Sequence, residues 1–137
     1  MSTPRNLVLD GSGDVHGETR LFIERKLAGL DEKTLNHLLL AVEEFLQNIL
    51  MHGFAGHEGA RKIVIAVERK HGTIVLTIAD NGRTFDPRSF PPPDIAADID
   101  HRRPGGLGIH LARKVTDRIT YERTNDMNVL TIEKDTP

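Results

Sequence analysis

The stretch Ala41-Val42-Glu43-Glu44-Phe45-Leu46-Gln47-Asn48-Ile49-Leu50-Met51-His52 decides how the rest of the chain reads. Leu35, Leu38, Leu39, Val42, Phe45, Leu46 and Ile49 recur at the spacing of a buried helical stripe. Glu44, Asn48 and His52 stand at i, i+4 and i+8, so on a helix they share a face, with neighbours roughly 5–6 Å apart at Cβ. At about 100° per residue they sit roughly 160°, 120° and 80° from the centre of the stripe. An acid and an amide therefore fall on a face the core does not use, with an imidazole at its edge. An ordinary amphipathic helix more often puts Lys and Glu there. This face reads as built for a ligand.

Working outward, Asp31 is the N-cap of that helix, with Glu32 near its positive end. Gly53 stops it after His52. Upstream, Leu7-Val8-Leu9 reads as a short strand and residues 15–30 as a helix carrying Leu21, Phe22, Ile23 and Leu27. Downstream, Lys62 to Glu68 and Thr73 to Ala79 are β-rich runs joined by His71-Gly72, a hairpin turn. Arg118 to Arg123 and Asn128 to Glu133 form a second pair, turning at Thr124-Asn125-Asp126. Helices early and between the hairpins predict an α+β two-layer sandwich: one mostly antiparallel sheet with helices on one face. The length of 137 residues, without repeat or linker, predicts a single domain over 1–137.

Composition removes several function classes. Lys plus Arg number 18 against 20 Asp plus Glu, a formal charge of −2, so no basic field is available for nucleic acid or an anionic membrane. The chain has no Cys, which excludes disulfides, thiolate zinc sites and Cys nucleophiles. No apolar run approaches the roughly 20 residues of a membrane span. Met1-Ser2-Thr3-Pro4-Arg5 lacks the apolar core of a signal peptide, which predicts a cytoplasmic protein. His52, His57 and Glu58 make a poor zinc set because Gly53-Phe54-Ala55-Gly56 breaks the spacing. Ser89 stands in a Pro-rich segment without a nucleophile elbow.

From Asp80 to Pro104, roughly 25 residues pass with little periodicity and much turn chemistry, beyond the usual loop length of a compact domain. A functional lid and a disordered insertion both fit such a segment, and its flanks favour the lid. At its start, Asp80 ends a strand and is followed by Asn81-Gly82-Arg83-Thr84-Phe85. A carboxylate there suits an exocyclic amine such as adenine N6, and Gly82 lets the backbone pass close to a flat ring. At its end, Gly105-Gly106-Leu107-Gly108-Ile109 opens an amphipathic helix, leaving N–H groups free for phosphate or forming a simple hinge.

In chain order these signals are Glu-x3-Asn-x3-His on a helix, Asp-x-Gly-x2-Phe after a strand, and Gly-Gly-Leu-Gly before a helix. Together they resemble the ATP-binding domain of the GHKL superfamily, the Bergerat fold. Within it, the chain looks most like the small anti-sigma-factor serine kinases. The carrying residues are AVEEFLQNILMHGF at 41–54, ADNGRTFDP at 79–87, GGLGIHLARKVTDRITYER at 105–123 and NVLTIEK at 128–134.

The resemblance implies ATP and Mg²⁺ as cofactors. It makes Asn48 the magnesium ligand, an amide oxygen suited to a hard cation. It makes Glu44 the general base that takes a proton from a serine hydroxyl or a water. It gives Asp80 and Gly82 to the adenine, Gly105, Gly106, Leu107 and Gly108 to the phosphates, and residues 83–104 to an ATP lid. Phe85, Ile109 and His52 join the cofactor-binding set, and His52 either touches phosphate or caps the negative end of its helix. Asn128-Val129 stand where the superfamily often has a Thr near the adenine. Glu43 is read as a flanking surface acid, and Arg113-Lys114 as the solvated side of the glycine-led helix.

The implied function is an ATP- and Mg²⁺-dependent serine/threonine-protein kinase that phosphorylates a small antagonist protein. The implied partners are that antagonist, a sigma factor and a second copy of the chain as a homodimer, with no nucleic acid and no membrane. The competing reading is a nucleotide-gated binding module with little or no turnover. Glu44 favours the enzyme, since a pure binder needs no base there.

Overall fold

A computed structural model describes residues 5–88 and 106–136. Aspartates start the first two helices. Asp14 accepts from the Gly17 N–H at 2.9 Å ahead of α1 (Val15–Lys26). Asp31 accepts from the Thr34 N–H at 2.9 Å and its hydroxyl at 2.8 Å ahead of α2 (Glu32–Asn48). The remaining elements are β1 (Asn6–Leu9), β2 (Ile63–Lys70), β3 (Thr73–Asp80), α3 (Gly106–Val115), β4 (Arg118–Thr124) and β5 (Met127–Asp135).

Among the described residues the strands form one sheet in the order β1-β2-β3-β5-β4, with every neighbouring pair antiparallel. Alternation gives the sheet one buried face. Ile63, Ile65 and Val67 of β2, Ile74, Leu76 and Ile78 of β3, and Leu130 and Ile132 of β5 pack in one core with Phe22 and Ile23 of α1 and Leu38, Val42, Phe45 and Leu46 of α2. The residues between them, Val64, Ala66, Val75, Thr77, Ala79, Val129 and Thr131, are half-exposed. The helices therefore cover one face, and the α+β two-layer expectation holds.

Both hairpins turn through left-handed backbone, at His71 (φ 47°) with Gly72 (φ 80°) and at Asn125 (φ 51°) with Asp126 (φ 60°). That geometry matches the twist of the flanking strands.

Two helices differ from expectation. The first stops at Lys26 rather than 30, because the chain turns through Gly29 at φ 91°. The second does not run uniformly to His52. It is α-helical to Asn48 and then widens into a π-helical turn, Ile49–Gly53, closed by the Phe54 N–H on the Ile49 carbonyl at 3.1 Å. Single π-turns of this kind occur often at functional sites, and the apolar repeat does not distinguish one from an α-turn.

No described helix is long and apolar enough to cross a membrane. Residues 89–104 of the expected lid, and Gly105, lie outside the described residues.

Candidate functional site

Glu44 sits half-buried on α2 beside exposed Glu43. Burial, and secondarily repulsion from Glu43, pushes its carboxyl above the ordinary glutamate value. One turn on, Asn48 departs from the helical-wheel expectation: it is only 3% exposed. The cover comes from far along the chain, where the Pro87 carbonyl accepts from Asn48 Nδ2 at 3.2 Å. That bond engages the amide nitrogen, and Oδ1 carries no hydrogen bond among the described residues. An amide oxygen is the atom a hard cation such as Mg²⁺ takes, so the residue fits a magnesium ligand.

His52 lies in the π-turn, its ring centroid 5.9 Å from that of Phe85. Its carbonyl accepts from Arg83 Nε at 2.9 Å, so a guanidinium supplies positive charge at this helix end. The Arg83 guanidinium also stands 5.8 Å from the Phe85 ring centroid.

Asp80 closes β3 at 1% exposure. Its Oδ1 accepts from the Gly82 N–H at 2.9 Å and from Asn128 Nδ2 at 3.0 Å. Burial pushes the carboxyl up, and those two hydrogen bonds oppose the shift. Gly82 is required by closeness: a Cβ there would stand 2.5 Å from the Gly53 carbonyl oxygen. The Arg83 N–H bonds that same oxygen at 3.0 Å, and Arg123 holds the Gly82 carbonyl at 2.8 Å. A Cβ built on Gly53 would lie 3.7 Å from Phe85 Cδ1 and 3.9 Å from Asp80 Oδ1. The π-turn thus carries the chain from the Glu44–Asn48 helix directly onto the Asp80 loop.

The third group enters through α3, which packs along α2. Gly106, Leu107, Gly108 and Ile109 form its first turn, so its backbone N–H end is where the sequence put it. Arg113 and Lys114 are exposed, as the sequence reading has them, and Arg113 donates to the Arg88 carbonyl. Arg88 in turn pairs with Asp86 at 2.8 Å and donates to the Ile119 carbonyl at 3.0 Å. Residues 83–88 are therefore anchored to α2, α3, β4 and β5 before the chain leaves the described region.

Sequence reasoning missed the polar junction around Asn128. Its amide also donates to the Arg83 carbonyl at 2.7 Å, and its oxygen accepts from the Phe85 N–H at 3.2 Å and the Tyr121 hydroxyl at 2.5 Å. The resemblance put Asn128 where the superfamily often has a Thr near the adenine, but gave no sign of these bonds, because the Asp80–Asn128 pairing is not a hairpin register. The arrangement offers a buried acceptor, an amide oxygen and a half-buried carboxylate on α2 and the loop at its end, with the glycine-led α3 packed along α2.

The model of the histidine kinase-like ATPase domain family matches residues 14–134. Over 96 residues the chain is 35% identical to the serine/threonine-protein kinase BtrW of Bordetella bronchiseptica, covering 69% of this chain and 66% of that protein. It is 28% identical over 96 residues to the serine-protein kinase RsbW of Listeria monocytogenes, covering 67% and 60%. The chain thus spans about two thirds or less of the length of these relatives. Among solved structures it is similar to the histidine kinase domain of the Erythrobacter litoralis EL346 blue-light activated histidine kinase. There the TM-score is 0.56 at 14% identity, covering 98% of this chain and 69% of that one. It is also similar to the Acinetobacter baumannii histidine kinase AdeS, at TM-score 0.54 and 14% identity, covering 96% and 67%. These distant structures speak for the fold, and the family match speaks for descent. The chain belongs to the histidine kinase-like ATPase domain family, of GHKL type.

Proposed function

We propose that this chain is a Mg²⁺-dependent serine/threonine-protein kinase of the anti-sigma-factor type, phosphorylating a small antagonist protein from ATP. The carrying observation is Glu44: a half-buried carboxyl with a raised pKa, one helical turn from the amide of Asn48. The names of the relatives, both protein kinases, support the same reading.

In this reading the whole chain acts as one domain with its lid at 83–104. Bound ATP and Mg²⁺ supply the phosphoryl group and the neutralising charge. Asp80 accepts the adenine amine, with Gly82 and Phe85 beside the ring. Asn48 holds the metal through its oxygen. Gly105 to Ile109 present N–H groups to the phosphates, with His52 near them. Glu44 takes the proton from the attacking Ser or Thr hydroxyl; such base catalysis supplies about 10²–10⁴-fold. The sigma factor and a second copy of the chain are proposed as further partners.

A second reading, a nucleotide-gated binding module, draws on the Asn48–Pro87 bond, which ties the α2 site to the root of the lid. One experiment separates the two. The protein is incubated with labelled ATP, Mg²⁺ and the candidate partner encoded beside it. Label on a partner Ser or Thr supports the kinase. ATP-dependent association without label selects the module and overturns the kinase.

A further inference from the structure

We propose that Asn128 is the positioning residue that sets nucleobase selectivity, by fixing which oxygen of Asp80 faces the base. The inference rests on the reading of Asp80 as the base-contacting acid and extends it to a residue that touches no ligand.

Asn128 lies directly opposite Asp80 in the β3–β5 register and is 2% exposed. Its two amide hydrogens go to Asp80 Oδ1 at 3.0 Å and the Arg83 carbonyl at 2.7 Å. Its oxygen accepts from the Phe85 N–H at 3.2 Å and the Tyr121 hydroxyl at 2.5 Å. A carboxamide has two donors and two lone pairs, so its capacity is filled. It has nothing left to offer a base. It acts through Asp80 instead.

Asp80 Oδ1 takes both of that carboxylate's bonds, from Asn128 and from the Gly82 N–H at 2.9 Å. Oδ2 takes none among the described residues and is the acceptor available to a ligand. An ionised Oδ2 suits the exocyclic amine of adenine and repels the carbonyl oxygen that guanine carries at the same position. If Asn128 is lost, the carboxylate is free to rotate, and Arg83 and Phe85, which flank the ring site, lose their shared anchor. Adenine and guanine nucleotides then become harder to tell apart. A purely structural role would weaken both nucleotides together and leave their ratio unchanged.

The test measures ATP and GTP dissociation constants with Mg²⁺ for the wild type, Asn128→Asp, Asn128→Ser and Asp80→Asn, with circular dichroism on each. Wild type favours ATP, and the GTP:ATP Kd ratio falls roughly tenfold or more in both Asn128 variants, the scale of a lost hydrogen bond to a charged group. If Asp80→Asn collapses the ratio while the Asn128 variants keep it, the Asn128 proposal is wrong and the Asp80 reading stands. If Asp80→Asn also leaves the ratio intact, the Asp80 reading fails and takes the proposal with it. Should both Asn128 variants unfold, the wild type decides by NMR. The Asn128 side-chain amide hydrogens are expected to stay protected from exchange before and after ATP is added. Rapid exchange in either state overturns the proposal.

Discussion

Glu44 and Asp80 are carboxyls that burial pushes in the same direction, while the proposed chemistry asks different things of them. A base gains from a pKa nearer the working pH; a hydrogen-bond acceptor must stay ionised. For Glu44, the second cause of the shift is the neighbouring Glu43. Glu43→Gln should therefore move the acid limb of the kcat profile to lower pH, whereas Glu44→Gln should cut phosphotransfer about 10²–10⁴-fold with ATP affinity retained. Transfer at the wild-type rate in Glu44→Gln removes the base assignment. For Asp80, the folded pKa lies above the unfolded one, so its stabilising contribution is full below the ordinary aspartate value and is lost as pH rises through the folded pKa. Asp80→Asn should then be at least as stable as wild type at pH 7, with the advantage vanishing in acid, as denaturation at both pH values would reveal. The same substitution should weaken ATP roughly 10–100-fold, because an amide nitrogen can face the adenine amine only as a second donor.

At the scale of elements, the site depends on how α2 ends. The π-turn brings the Gly53 carbonyl against Gly82, where a Cβ would stand 2.5 Å from that oxygen. Gly82→Ala should break the Arg83–Gly53 bond, destabilise the fold by about 1–3 kcal/mol and weaken ATP. Full affinity with wild-type stability would show that the close approach is dispensable. The opposite end of α2 provides the control. Asp31→Ala removes the N-cap and should cost about 0.5–2 kcal/mol in a urea titration, yet leave ATP affinity unchanged, since the helix places Asn48 about 25 Å away. The capping aspartates, both hairpin turns and the alternation in β2, β3 and β5 are all legible in the sequence. The π-turn is not, because Ile49 and Leu50 continue the same apolar run whichever helix type holds them.

At the scale of the molecule, the π-turn meets the Asp80 loop at one end of α2, and α3 packs along the same helix. A ligand that bridges them should stabilise the whole fold, by about 2.7 kcal/mol at a concentration of 100 Kd. A thermal melt should then rise by about 10 °C with ATP and Mg²⁺ at that concentration, and by less when the metal is chelated; no rise with either would argue against a nucleotide site here. The sequence by itself determined the α+β class, the helices and hairpins, and the order of Glu44, Asn48, Asp80 and the glycine box, because periodicity, caps and turn residues act between near neighbours. It also supplied the family, since those motifs keep their spacing. Only the tertiary structure decided that Asn48 is buried beneath Pro87, 39 residues on, and that Asn128 holds Asp80 across 48 residues. Those bonds form between groups that no local pattern relates, and they exist because the sheet register and the docking of 83–88 bring the partners together.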